Sequence, residues 1–72
     1  MKTFTEKQLK VEMEHCLTDA TNEVEKTGYL TRYAIRQFGS AITLAELIED
    51  DDARSKISDA YKTAWKNFPY KG

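Results

Sequence analysis

One stretch limits the folding options of this chain more than any other. Between Thr5 and Gly28, apolar residues recur at Leu9, Met13, Cys16, Leu17, Ala20 and Val24. At 100° per residue these six fall within an arc of about 100°, the width of a helix face that something else must cover. Both ends of the stretch are marked. Thr5 and Gln8 have capping-box spacing, each side chain serving an amide of the other, and Phe4 and Leu9 have the spacing of a hydrophobic staple. Gly28 supplies a left-handed closing position, with Tyr29 placed to fold back on Val24. The pattern predicts a helix over about residues 5–27. It takes up roughly a third of the 72 residues and is only marginally stable alone in water, so the remaining chain must supply its partner surface.

The rest of the chain reads as shorter helical pieces. Thr31 caps a second helix over 31–38, with Leu30 facing Ile35 as a staple, Ala34, Ile35 and Phe38 as its apolar face, and Gly39 as its stop. Thr43-Leu44-Ala45-Glu46 is a second capping box. It predicts a helix over 43–49 with Ile42 and Leu47 as the staple and Leu44, Leu47 and Ile48 on the buried side. Glu49-Asp50-Asp51-Asp52 ends that helix and opens the last one, because carboxylates favour the positive end of a helix dipole. Ala53, Ile57, Ala60, Tyr61, Ala64 and Phe68 make the inner stripe of a helix over 52–68, which Pro69 terminates for want of an amide proton. No segment alternates with period two, and there are no repeats or linkers. The expected architecture is an all-α, small single-domain helical bundle over residues 1–72, with four helices in the order long, short, short, long.

Charge and inventory narrow the function classes. Eleven Lys and Arg stand against twelve Asp and Glu, a net charge of −1, which removes the bulk electrostatic reason to expect nucleic acid or an anionic membrane. No apolar run approaches the length of a membrane span, and the start Met1-Lys2-Thr3-Phe4-Thr5-Glu6-Lys7 holds no apolar h-region, so a signal peptide is not expected. The single cysteine excludes an internal disulfide framework and a multi-thiolate metal site within one chain. A cytoplasmic domain without cofactor or metal is the expectation.

Several residue groups invite a chemical reading. His15-Cys16 is the one candidate for nucleophilic catalysis, but helix neighbours diverge by 100°, which puts Cys16 on the apolar stripe and His15 on the wet side. His15 with Glu12 or Asp19 offers too few ligands for a stable zinc site. Asp50, Asp51 and Asp52 lack the alternate spacing and glycine of a calcium loop. Their plain reading is a capping cluster. The other is a docking surface for a basic partner, supported by six acids and two bases over residues 41–59.

From Tyr61 to Lys71, cations and aromatics interleave in sequence as on a single-strand nucleic-acid surface. On a helix they segregate, with Tyr61 and Phe68 inward, Lys62 and Lys66 outward, and only Trp65 and Tyr70 placed to be exposed. An exposed tryptophan is a good protein-binding anchor. Arg32 and Arg36, one turn apart, suit either an anionic ligand or internal pairing with the acidic segment. The Gly39 junction allows a helix-turn-helix reading, but its outward Glu46 and Glu49 repel phosphate, and Ala34 stands five rather than four residues before Gly39.

Leu44-Ala45-Glu46-Leu47, Trp65 near the end, the early Cys16 and the overall size are similar to the Hha/YmoA family of small helical proteins that partner the nucleoid protein H-NS. The family's basic stretch before the cysteine is missing. The acidic turn before a helix carrying Trp65 resembles colicin immunity proteins, without their tyrosine-rich third-helix segment. These scattered matches transfer no functional residue. The expected function is non-catalytic protein–protein interaction, by a small regulator or inhibitor of the kind phages and mobile elements encode. Its contact surface would combine Glu46, Glu49, Asp50, Asp51 and Asp52 with Trp65 and Tyr70. The alternative is a nucleic-acid-associated regulator, Hha-like or helix-turn-helix-like, using Arg32, Arg36, Lys62, Lys66 and Lys71. A homo-oligomer is a third expectation, since a second copy would help a chain this short bury its aromatic surplus.

Overall fold

The first helix, α1, runs Glu6–Thr27, and its ends form as the residues predict. Gln8 donates its amide to Thr5 Oγ1 at 3.1 Å, and Thr5 donates its own to Gln8 Oε1 at 2.9 Å. Gly28 adopts φ 77° and donates to the Val24 carbonyl at 2.9 Å. The computed structural model describes residues 5–71, so the Phe4–Leu9 staple lies outside the described residues. Met13, Cys16, Ala20 and Val24 are buried along α1.

A second helix, α2, runs without a break over Arg32–Leu47. This corrects the expectation of two short helices: the described residues hold three helices, not four. Thr31 caps α2 as predicted, accepting from the Ala34 amide at 3.2 Å. Gly39 does not stop it. A glycine inside a helix costs about 1 kcal/mol relative to alanine, too little to interrupt a helix whose apolar face continues. That face does continue, at Ala34, Phe38, Ala41 and Ala45, all buried. Thr43 is therefore not a cap; its hydroxyl donates to the Gly39 carbonyl at 3.0 Å, one turn back. The continuous register also turns Leu47 outward. It stands nine residues after Phe38, half a revolution away, and is 66% exposed rather than buried.

The third helix, α3, spans Asp51–Asn67, with Asp50 accepting from the Ala53 amide at 3.0 Å as N-cap. Ile57 and Ala64 are buried on it, with Ala53, Ala60, Tyr61 and Phe68 packed half-buried around them. Two short extended pieces complete the fold. Leu30–Thr31 (β1) and Tyr70–Lys71 (β2) pair in parallel, Leu30 opposite Tyr70, and Leu30 donates its amide to the Pro69 carbonyl at 2.9 Å. This ladder departs from a purely helical expectation. Two-residue strands show no periodicity in sequence, and they form because a helix cap and a proline hold both segments extended. Leu30 is fully buried there, while Tyr29 stays outside under Lys71, whose Nζ lies 4.7 Å from the ring centroid.

α2 packs on both α1 and α3, which meet each other more loosely across shallow clefts. The result measures 39 × 23 × 15 Å with a radius of gyration of 12.5 Å, against about 11 Å for an equant domain of this length. It is a flattened three-helix slab.

Candidate functional site

The acidic residues gather where α2 ends and α3 begins. α2 closes through a complete Schellman pattern: Asp50 donates to the Ala45 carbonyl at 3.0 Å and Glu49 to the Glu46 carbonyl at 3.1 Å. That pattern requires a left-handed residue at position 49, and Glu49 fills it with φ 55°. Glycine or asparagine is the usual occupant, because a Cβ costs roughly 1–2 kcal/mol in that conformation. A carboxylate beside the negative end of a helix is also unfavourable.

The five predicted acids then divide by role. Asp50 is a half-buried cap, its carboxylate spent on the Ala53 amide. Glu46 lies 3.6 Å from Arg54 Nε in an exposed ion pair. Glu49, Asp51 and Asp52 stay exposed, and α1 brings Glu6 beside them. Together with Ile48 and Asp50 these four carboxylates line an open depression of about 450 Å³. Glu6 is more than forty residues away in sequence from the rest of the lining, and only the antiparallel return of α2 along α1 places it here.

An apolar surface adjoins this acidic end. Lys7, Gln8, Leu9, Val11 and Glu12 of α1 and Leu44 of α2 line a groove of about 620 Å³. A smaller depression bounded by Glu6, Leu9, Leu47, Ile48 and Glu49 joins groove to rim. The sequence reading assigned no binding role to Leu9, Val11 or Leu44. The available signal was Val11, which lies off the α1 stripe and is 60% exposed.

Trp65 and Tyr70 are exposed as predicted, at 47% and 53%. Their rings stack at 5.8 Å between centroids, the outer end of a file that runs inward through Tyr61 at 6.2 Å to Phe38 at a further 5.1 Å. They do not share a patch with the acids. Trp65 lies fourteen residues beyond Asp51 on one straight helix, about 21 Å along its axis. Arg32, Arg36, Lys62 and Lys66 are exposed, and none takes part in the two ion pairs found among the described residues.

The His15-Cys16 pair separates as helical geometry requires. Cys16 is buried, 6% exposed, and burial, with Glu12 and Asp19 adding to it, pushes its thiol above the ordinary range. His15 Nε2 instead lies 3.3 Å from Asp19 Oδ2. That same oxygen accepts from Gln37 Nε2 at 3.2 Å and faces the Tyr33 hydroxyl at 3.4 Å. Desolvation first, then the Asp19 carboxylate, raises the Tyr33 phenol above its usual range. The Gln37 amide and the Tyr33 hydroxyl of α2 converge on one carboxylate oxygen of α1 and tie the two helices together, with His15 beside it, while the thiol turns into the core. Among the described residues no group of three or more His, Cys, Asp or Glu could hold a metal ion, and no helix is long and apolar enough to cross a membrane.

No protein-family model, curated protein or solved structure matches this chain. The likeness to the Hha/YmoA and colicin immunity families therefore rests on the residues quoted above alone.

Proposed function

We propose that this chain is a non-catalytic protein-binding module, a small regulator or inhibitor that docks on a larger partner through its acidic end. The observation carrying this reading is Glu49. Its backbone favours glycine and its charge opposes the helix dipole, yet a carboxylate stands there with Glu6, Asp51 and Asp52 around the same depression. Local choices that run against both backbone and electrostatics concentrate at functional sites. A basic partner surface relieves the crowding of like charge and gains from it during encounter. Trp65, about 20 Å away along α3, and Tyr70, stacked on it from beyond the helix, form a separate contact that only a large partner can reach at the same time.

The test is retention of a partner from native-cell extract on the tagged chain, eluted by increasing salt. A basic protein should elute early from the triple variant Glu49→Lys, Asp51→Lys, Asp52→Lys, provided the variant keeps its helical circular dichroism. Elution at unchanged salt rules out the acidic rim. A second reading, as a nucleic-acid-associated regulator, draws on Arg32, Arg36, Lys62 and Lys66, which are exposed and outside the ion pairs. A gel shift whose affinity falls steeply with salt is its signature.

A further inference from the structure

We infer that the stacked rings of Trp65 and Tyr70, with the cations around them, form a platform for single-stranded nucleic acid. The inference rests on the second reading above and gives it a ligand class. It leaves the acidic rim free, since the junction of α2 with α3 lies about 20 Å away along the same helices.

The two flanks of α2 face different helices. Tyr33 and Gln37 reach Asp19 of α1, while Glu46 pairs with Arg54 of α3. At 100° per residue Arg32 comes within about 40° of Glu46, on the α3 flank, and Arg36 stands one turn later on the outer shoulder. On α3, Trp65 lies within about 20° of Arg54, with Lys62 about 60° further out and Lys66 one turn beyond it. The helices run antiparallel, with Tyr61 against Phe38 and Arg54 against Glu46, so Trp65 is level with Ile35. Arg32 then stands about 4–5 Å to one side of that level and Lys62 about 4–5 Å to the other. Tyr70 joins from the ladder, opposite Leu30 and so two residues from Arg32. The indole thus sits between two cations, with two more on the shoulders.

Three observations select a single strand. Both rings are exposed and stacked on each other, a surface that takes up unpaired bases and has no use for a duplex, whose bases are already stacked. The four cations also have little local competition. Glu46 is the one acid of α2 and is held by Arg54, and Asp59 is the one acid of α3 beyond Asp52. Finally, Arg32 is the first residue of α2, whose first turn holds no acid. A cation there opposes the helix dipole, and a bound phosphate relieves that conflict. An acidic peptide would satisfy the cations and leave the rings without a partner.

Anisotropy of a dye-labelled oligothymidylate of about 12 nucleotides, read together with Trp65 emission, tests this. The strand should quench the indole, and its affinity should fall roughly fifty-fold between about 50 and 200 mM salt for four phosphate contacts. Trp65→Leu and Tyr70→Ser should each weaken binding at least about fivefold with helical circular dichroism unchanged. Trp65→Phe, which keeps a ring, should lose less than Trp65→Leu. Arg32→Gln should lower the logarithmic salt slope by about 0.7. A strand of the same length without bases should bind at least about fivefold more weakly and leave the emission unchanged. A duplex bound as tightly as the strand, an indole silent on binding, or affinity indifferent to Trp65→Leu would each overturn the inference. So would oligoglutamate or anionic phospholipid vesicles that perturb the indole as strongly as the strand does. Duplex binding with a silent indole removes the platform and leaves the second reading standing, whereas binding of neither strand nor duplex removes both.

Discussion

Glu49 ties stability to the proposed partner contact at a single position. Replacing it with glycine relieves the left-handed strain and removes a carboxylate from the end of α2, so Glu49→Gly should stabilise the fold by about 1 kcal/mol. Urea unfolding should show a higher midpoint with an unchanged slope. The same variant should weaken partner binding, since one of four clustered carboxylates is gone. A stabilised protein with undiminished binding would place the partner elsewhere. Cys16 gives a second residue-scale outcome. Its thiol titrates higher folded than unfolded, because burial and the nearby Glu12 and Asp19 carboxylates disfavour the thiolate. Between those two pKa values the native state holds the proton that the unfolded state has lost. Stability therefore falls as pH rises through the ordinary thiol range and beyond. Cys16→Ser should flatten that alkaline decline, read as melting temperature against pH. A disulfide-exchange reagent at neutral pH should react with Cys16 only as fast as the helix pair opens.

At the scale of the elements, α2 carries the clearest mutational expectation. A Cβ at Gly39 would meet nothing within 4 Å, so Gly39→Ala should stabilise by about 0.5–1 kcal/mol, measured by thermal or urea unfolding. Had Gly39 been the stop between two helices, the same change would cost stability. This position also explains what was readable in the sequence. α1 was legible because Thr5, Gln8 and Gly28 are terminal signals outside an unbroken stripe, and no competing signal falls inside it. In α2 the cap-like Thr43-Leu44-Ala45-Glu46 and the glycine both sit within the helix, where local chemistry points to a boundary and tertiary packing overrides it. The decisive pattern was Ala34, Phe38, Ala41 and Ala45, whose spacing holds one face through Gly39. Misplacing that boundary misassigned Leu47 to the core. The acidic rim was legible except for Glu6, whose membership depends on α1 and α2 running antiparallel. The groove at Leu9, Val11 and Leu44 belongs to two helices at once, so no single-helix pattern could reveal it.

The whole molecule is a slab held together by small residues. Ala20, Ala34, Ala41, Ala45 and Ala64 are all buried, and such short side chains let helix axes approach closely, leaving no room for larger ones. Ala41→Leu should therefore destabilise by about 1–3 kcal/mol despite its added hydrophobicity, seen as a lower unfolding midpoint. The charge on this slab is also divided end from end. Carboxylates crowd the junction of α2 with α3, while Arg32, Arg36, Lys62 and Lys66 belong to the opposite halves of those two helices. One last consequence comes from the aromatic file. Trp65 is the only indole in the chain, and it rests on Tyr70, beyond the last helix and joined to the body through Leu30. The protein thus carries its own optical gauge of that tail: emission registers the undocking of residues 70–71, and far-ultraviolet ellipticity registers the three helices. A short peripheral ladder belongs to the parts that open first, so under gentle denaturation the light should change before the helix signal does.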